Sequence, residues 1–455
     1  VLESTLIPTD AAPSMSHVSS VSNNAASPAL PAGFRVSVAP MMEWTDRHCR
    51  SFHRLLSRQA WLYTEMVTAQ AIAHGDLDHL LGRGEEGERV VLQLGGNDPQ
   101  LLARAAREGV AYGYDEINLN CGCPSDRVRE GAFGACLMAE PQRVADCVAA
   151  MQAVVPVPVT VKHRIGIDRH EDYAFVYRFV ETVAAAGCRR FIVHARNAWL
   201  DGLDPKANRE IPPLRYAVVH RLAQDFSHCA FELNGGLQDL AMGLAVATDP
   251  AHAASVPSSK VGALSSTPAV PAMAGAPPAV PAVDPVHLES LTALAAARRP
   301  LQPLAGLMYG RKAYHEPWLL AGVDAWLAAR AKVDEAFVGR QRGVIDEPPL
   351  AVTHASVASS AAALPEGNAV LTRAGVVDAL VGYLERGAAQ GVELRHLARH
   401  VLGLYHGQPA ARIWRRQLSD PQALARNDPQ WLRTVCAQVE AEPARQAERL
   451  AGRQG

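Results

Sequence analysis

Short, near-continuously apolar runs recur along the chain, each turning polar at its end: RVSVAP (35–40), WLYTEM (61–66), VVLQLGG (90–96), EINLNCG (116–122), VPVTVKHR (157–164), RFIVHAR (190–196), AFELNGG (230–236) and GLMYGR (306–311). They read as strands buried on both faces, and most are followed by a longer stretch of helical period. Pro99 to Tyr112, with Leu101, Leu102, Ala105, Ala106 and Val110 near one face, is an example. Eight such units predict an α/β fold, a (β/α)8 TIM barrel over 34–320. An open doubly wound sheet is the rival, since strand number does not prove closure. After Trp318 the strand signal stops, and 319–342 and 370–450 read as helices. A smaller all-helical domain over 321–455 is therefore expected.

Three stretches break this rhythm. Residues 1–33 are rich in Ser, Ala, Pro and Asn without an apolar face, and read as a disordered tail. Residues 249–285 hold eight Pro and ten Ala, which suits a semi-extended insertion between the seventh and eighth strands better than a helix. A second low-complexity insertion is read at 346–371.

Composition narrows the class. The 455 residues carry a net charge of −2, so no global field attracts nucleic acid or an anionic membrane, and a polyanionic partner must be held by a local patch. Eight cysteines lack the spacing of a disulfide framework, which points to a reducing compartment. No apolar run suits a spanning helix, and the first basic residue is Arg35, unlike a secretory or transit leader. A cytoplasmic protein without membrane contact or an evident obligate protein partner is expected.

In a barrel the chemistry gathers at the C-terminal strand ends. Those ends hold Pro40, Met41, Met42, Glu65, Gln93, Asn118, Asn120, Cys121, Cys123, Lys162, His163, Arg164, His194, Arg196, Asn234-Gly235-Gly236 and Gly310-Arg311. The glycines after strand seven and the Gly-Arg after strand eight fall where barrels commonly hold a phosphate; ordinary loop punctuation is the alternative. Gly82-x-Gly84-x-x-Gly87 matches a dinucleotide fingerprint but precedes a strand and carries acids where a pyrophosphate would sit. Cys121 and Cys123 lack a second Cys/His pair, so no metal site is expected. Lys162 is chemically suited to imine formation, which keeps a Schiff-base aldolase open. Between Leu394 and Ser419 lie Arg395, Arg399, Arg412, Arg415, Arg416 and three His with no acid, the local patch that the net charge demands. Tyr405 and Trp414 within it either stack on bases or pack between helices.

APMMEWTDRHCR, YTEMVTAQAI, LQLGGNDP, EINLNCGCPSDRV with FGACLM, VTVKHRIGID, FIVHARNAWLDGLDPKANREIPPL, ELNGG and GRKAYHEPW resemble the flavin-dependent tRNA-dihydrouridine synthases, most closely their A subfamily. The resemblance covers about 34–244, 302–343 and 372–420. It departs at Glu43 (usually Asp), Cys121 (Val), His163 (Thr) and Asn197 (Lys). It implies reduction of uridine in the tRNA D-loop, at positions 20 and 20a, by flavin mononucleotide (FMN) that NADPH reduces. Cys123 is then the proton donor to C5, and a free thiol of pKa about 8.5 is mostly protonated at neutral pH, as a donor must be. The resemblance places Pro40, Met41 and Met42 under the flavin ring, Gln93, Lys162 and His194 near its polar edge, and Asn234, Gly235, Gly236, Gly310 and Arg311 around its phosphate. It assigns Asn120 to the uracil and Lys206, Arg209, Arg412 and Arg415 to the tRNA. Cys121 adds a second thiol, expected in the upper layer of the barrel. A catalytically silent tRNA-binding module is the remaining alternative.

Overall fold

The computed structural model describes residues 33–125, 128, 130–249, 253, 303–330 and 371–451. The tail over 1–32, and most of both low-complexity stretches, lie outside the described residues. All eight expected strands form, as β1 (Arg35–Val38), β2 (Trp61–Thr68), β3 (Val90–Gly95), β4 (Glu116–Cys121), β5 (Val159–Arg164), β6 (Arg190–His194), β7 (Ala230–Asn234) and β8 (Gly306–Tyr309). Each pairs in parallel with its sequence neighbours and β8 pairs with β1, closing the barrel and removing the open-sheet alternative. Most of the apolar runs outlast their strands by one or two residues, because the chain turns into the loops there.

The helices between the strands start where the sequence offers caps. Asp98 accepts the N–H groups of Gln100 and Leu101 ahead of Pro99, Asp172 accepts that of Phe175, and Asp239 that of Met242. Strand alternation then sorts side chains between two environments. Facing the helices, Leu92, Ile117, Leu119, Val161, Phe191 and Phe231 are fully buried, each adding about 1.5–3 kcal/mol by leaving water. Facing the axis, Tyr63, Val91, Ile192 and Met308 form a small apolar plug with Ala39. The barrel floor is ionic: Glu116 pairs with Arg35 (2.5 Å), and Glu232 pairs with Arg190 (2.7 Å) and accepts from Ser37 (3.0 Å).

The helix over 323–330, which the sequence reading gives to the second domain, packs against the barrel. Trp326 lies 5.7 Å from Phe34, and Asp324 accepts the N–H groups of Arg58 and Gln59. Beyond residue 370 the chain is helical, with helices Arg373–Gly387, Leu394–Val401, Ala411–Leu418, Pro421–Ala425 and Gln430–Ala451. They meet the barrel at Asp46, whose carboxylate caps the helix Arg47–Leu56 and also binds Arg399 and His400. Among the described residues no helix is long and apolar enough to cross a membrane.

Candidate active site at the barrel mouth

Strand β4 ends at Cys121, so Gly122 and Cys123 open the loop above it. Asn118 and Asn120 face the axis; Cys121 therefore faces out, wholly buried among helix-packed residues beside Cys147 and Cys188. This corrects the expected place in the barrel's upper layer. Burial pushes the Cys121 thiol well above its ordinary pKa. Cys123 is half-buried, with Sγ 3.4 Å from Ser125 Oγ. Both sides of its backbone are held: its N–H donates to Asn120 Oδ1 (3.0 Å), and its carbonyl accepts from Ala135 N–H (2.9 Å). Gly134 makes the second of these bonds possible. Its φ is +76° and a Cβ there would sit 2.6 Å from the Cys123 oxygen, which explains the glycine of FGACLM.

Cations converge on this loop. Lys162, on the axis face of β5, is pushed down to about 7, first by burial and then by Arg164. Arg164, two residues on and buried, donates Nε to Gly122 O (3.1 Å) and Nη1 to Asn197 O and Asn208 O (3.0 and 2.9 Å). It thus clamps the Cys123 loop to the loop after β6, and burial pushes its guanidinium down to about 9. His194 is held neutral, well below its usual value, by burial and by the charges of Arg164, Lys162, Arg196 and Arg209. Among the described residues none of Lys162, Arg164, Arg196 and Arg209 forms an ion pair. Arg311 does, with Glu210 at 2.6 Å. Arg196 Nε is buried without a hydrogen-bond partner among the described residues. Cations without an ion pair among the described residues suit an anionic ligand at this end of the barrel.

The loop after β7 is closely packed on His194 and Leu214. Gly235 and Gly236 take φ of +115° and +71°; a Cβ would lie 2.7 Å from His194 Cδ2 at the first and 2.4 Å from Leu214 Cδ1 at the second. Side chains are excluded here, and backbone is left at the surface. Asn234 serves the frame, donating Nδ2 to Met308 O at 2.8 Å. Gly310 keeps an ordinary φ of −96° and opens the short helix Arg311–His315. At the end of β1, Pro40 and Met41 are half-buried, while Met42 is 56% exposed. Gln93 is buried on the axis face, donating to Asn118 (2.8 Å) and accepting from Asn120 (2.8 Å).

Lys206 and Arg209 stand exposed on the loop after β6, which the buried Asn208 organises by accepting Trp199 N–H and donating to Trp199 O and Leu203 O. Arg412 and Arg415 are exposed on the helix Ala411–Leu418, lining a groove of ≈ 550 Å³ with His406, Gln408 and Glu442. The expected five-arginine patch is smaller than its sequence. Arg395 pairs with Glu393 and Arg399 with Asp46, carboxylates from outside the acid-free stretch. Tyr405 and Trp414 are buried with ring centroids 4.8 Å apart, so they pack between helices rather than face bases. Sequence reasoning did not find Arg164 and Asn208 as organisers of the site. For Arg164 the signal was present, since it follows Lys162 by two residues as Arg196 follows His194.

The dihydrouridine synthase (Dus) family model matches residues 37–253. The chain is 42% identical over 400 residues to the tRNA-dihydrouridine(20/20a) synthase of Synechocystis sp., covering 88% of this chain and 93% of that protein. It is 44% identical to the enzyme of that name from Salmonella typhimurium (87% and 91% covered) and 43% identical to that from Xanthomonas axonopodis (86% and 89%).

Proposed function

The chain belongs to the dihydrouridine synthase family, and on that premise we propose that it reduces the C5=C6 bond of uridine to 5,6-dihydrouridine in the tRNA D-loop. The modified positions are 20 and 20a, the cofactor is FMN, the reductant is NADPH, and the work is done in the cytoplasm. The observation that carries the reading is a half-buried thiol, Cys123, fixed by its backbone at a barrel mouth lined with cations that form no ion pair among the described residues.

The residues present fit a flavin mononucleotide. Gly235 and Gly236 leave the side-chain-free cradle that a phosphate needs, Arg311 supplies a cation beside it, and Lys162, Gln93 and His194 offer polar groups to a ring edge. Pro40, Met41 and Met42 supply an apolar shelf. When bound, the flavin supplies the hydride that C6 of the uracil accepts. Cys123 then gives its thiol proton to C5. Asn120 orients the uracil. Lys206 and Arg209 on the barrel and Arg412 and Arg415 on the helical region hold tRNA phosphates while the target base is out of its stack.

A lysine near 7 also suits imine chemistry, but the likeness over more than four-fifths of the chain weighs against an aldolase. The deciding experiment is mass spectrometry of tRNA from cells lacking the gene. Dihydrouridine at 20 and 20a should vanish and return on complementation. Unchanged dihydrouridine at both positions overturns the reading.

A further inference from the structure

The axis face of the barrel carries a chain of hydrogen bonds that runs in one direction from the Cys123 loop to the floor. Gly122 N–H and Cys123 N–H donate to Asn120 Oδ1 (both 3.0 Å); Asn120 Nδ2 donates to Gln93 Oε1 (2.8 Å); Gln93 Nε2 donates to Asn118 Oδ1 (2.8 Å). Asn118 Nδ2 donates to Thr160 Oγ1 (2.9 Å), and Thr160 donates its hydroxyl proton to Glu116 Oε1 (2.7 Å). Glu116, in turn, is paired with Arg35.

The direction is forced from both ends. A carboxylate only accepts, so Thr160 must spend its one proton on Glu116 and meet Asn118 with a lone pair. Asn118 must then present its NH2 to Thr160 and its oxygen to Gln93, and the same choice passes to Gln93 and Asn120. At the top, two backbone N–H groups require an oxygen from Asn120. The two demands agree, so each amide has one orientation. Asn120 Oδ1 is filled by its two donors, which leaves one Nδ2 hydrogen as its free group. Both Asn118 and Thr160 are wholly buried below the mouth, and neither belongs to the cofactor or substrate set given above.

We propose that Thr160 and Asn118 are positioning residues for the reaction: they relay the acceptor character of Glu116 up the barrel axis, fixing the amides of Gln93 and Asn120 so that Asn120 meets a carbonyl oxygen of the uracil as a donor only. The inference rests on the dihydrouridine synthase reading for its substrate and on the hydrogen bonds alone for its chain. Without the Thr160 hydroxyl, the buried Asn118 NH2 loses its acceptor and the chain is held from its top alone, so the constraint on Gln93, Asn120 and the Cys123 backbone weakens.

The test compares Thr160→Val, which keeps shape and loses the hydroxyl, with Thr160→Ser, which keeps the hydroxyl. For each FMN-loaded enzyme, kcat and KM for unmodified tRNA are measured, together with the rate at which iodoacetamide alkylates Cys123, resolved by mass spectrometry. Thr160→Val should lower kcat at least tenfold with KM within threefold of wild type, and should speed alkylation at least threefold. Thr160→Ser should stay within twofold on all three. Wild-type kcat and alkylation in Thr160→Val, or equal impairment of both variants, overturns the proposal. Should Thr160→Val fail to fold, Glu116→Gln carries the same expectations and the same overturning result, because an amide that donates to Thr160 sets the two ends of the chain against each other. If the wild-type enzyme leaves tRNA unreduced, the functional reading fails, while the alkylation ratio between the two Thr160 variants still decides the positioning role.

Discussion

Arg311 Nη1 and Glu210 Oε1 lie 2.6 Å apart, joining the short helix after β8 to the loop after β6. The cation expected to hold a phosphate is thus already paired with a carboxylate, and that carboxylate is held below its usual range first by this bond. Both groups are more than a third exposed, so solvent screens the pair and it is worth about 0–1 kcal/mol. Two opposite changes follow. Arg311→Ala should weaken FMN binding by about 1.5–3 kcal/mol, the worth of a charge-assisted hydrogen bond. Glu210→Gln should strengthen it by up to about fivefold, since the competing anion is gone. Quenching of flavin fluorescence on titration reads both, and unchanged affinity in Arg311→Ala places the phosphate elsewhere.

The two neighbouring thiols should separate cleanly. Cys121 is sealed against the helices, and Cys121→Val should keep near-normal turnover. Cys123→Ala should still accept hydride from NADPH, because that half-reaction needs no thiol, but should lose tRNA reduction by at least about a hundredfold, the usual worth of a general acid. Stopped-flow bleaching of the flavin by NADPH, then reoxidation by unmodified tRNA, measures both steps. Normal reoxidation in Cys123→Ala with slow reoxidation in Cys121→Val would move the acid to Cys121.

Lys162 gives a pH dependence with a definite sign. Its folded pKa of about 7 lies below the 10.5 of the free side chain, so between these values the unfolded chain binds more protons. The cost of burying the charge is therefore fully present below pH 7 and is relieved as pH rises from 7 toward 10.5. Lys162→Met, which removes it, should raise the Tm of the flavin-free protein more at pH 6 than at pH 9. Thermal melts of both proteins at the two pH values decide this, and an equal rise at both is the contrary result.

Charge pairing predicts which arginines grip RNA. Arg412 and Arg415 stand exposed on one groove, and changing both to Ala should weaken tRNA binding and flatten its salt dependence by up to about one unit for each phosphate no longer gripped. Arg395→Ala should flatten that slope less than either groove arginine, since Glu393 lies 2.7 Å from its guanidinium and competes with a phosphate. Affinity measured across a salt series distinguishes them. If the double variant keeps the wild-type slope, the groove is a solvated helix face.

By itself, the sequence determined the barrel architecture and which side chains stand at its strand ends. Buried parallel strands announce themselves by local apolar runs, and the glycines after β7, the thiol after β4 and the Lys162/His194 positions follow from where each run turns polar. These are short-range features, legible because backbone conformation and side-chain period are set within a few residues. What only the tertiary structure decided are relations between residues far apart in the chain. Arg399 is paired with Asp46, 353 positions away, and Arg311 with Glu210, 101 away. Tyr405 and Trp414 turned inward because the helical region needs a core, and Cys121 turned outward because Asn120 took the axis face. The direction of the chain from Cys123 to Glu116 belongs to the same group. An amide has no preferred end in the sequence, and it acquires one only when barrel closure sets Thr160 beside Glu116 and Gln93 beside both asparagines.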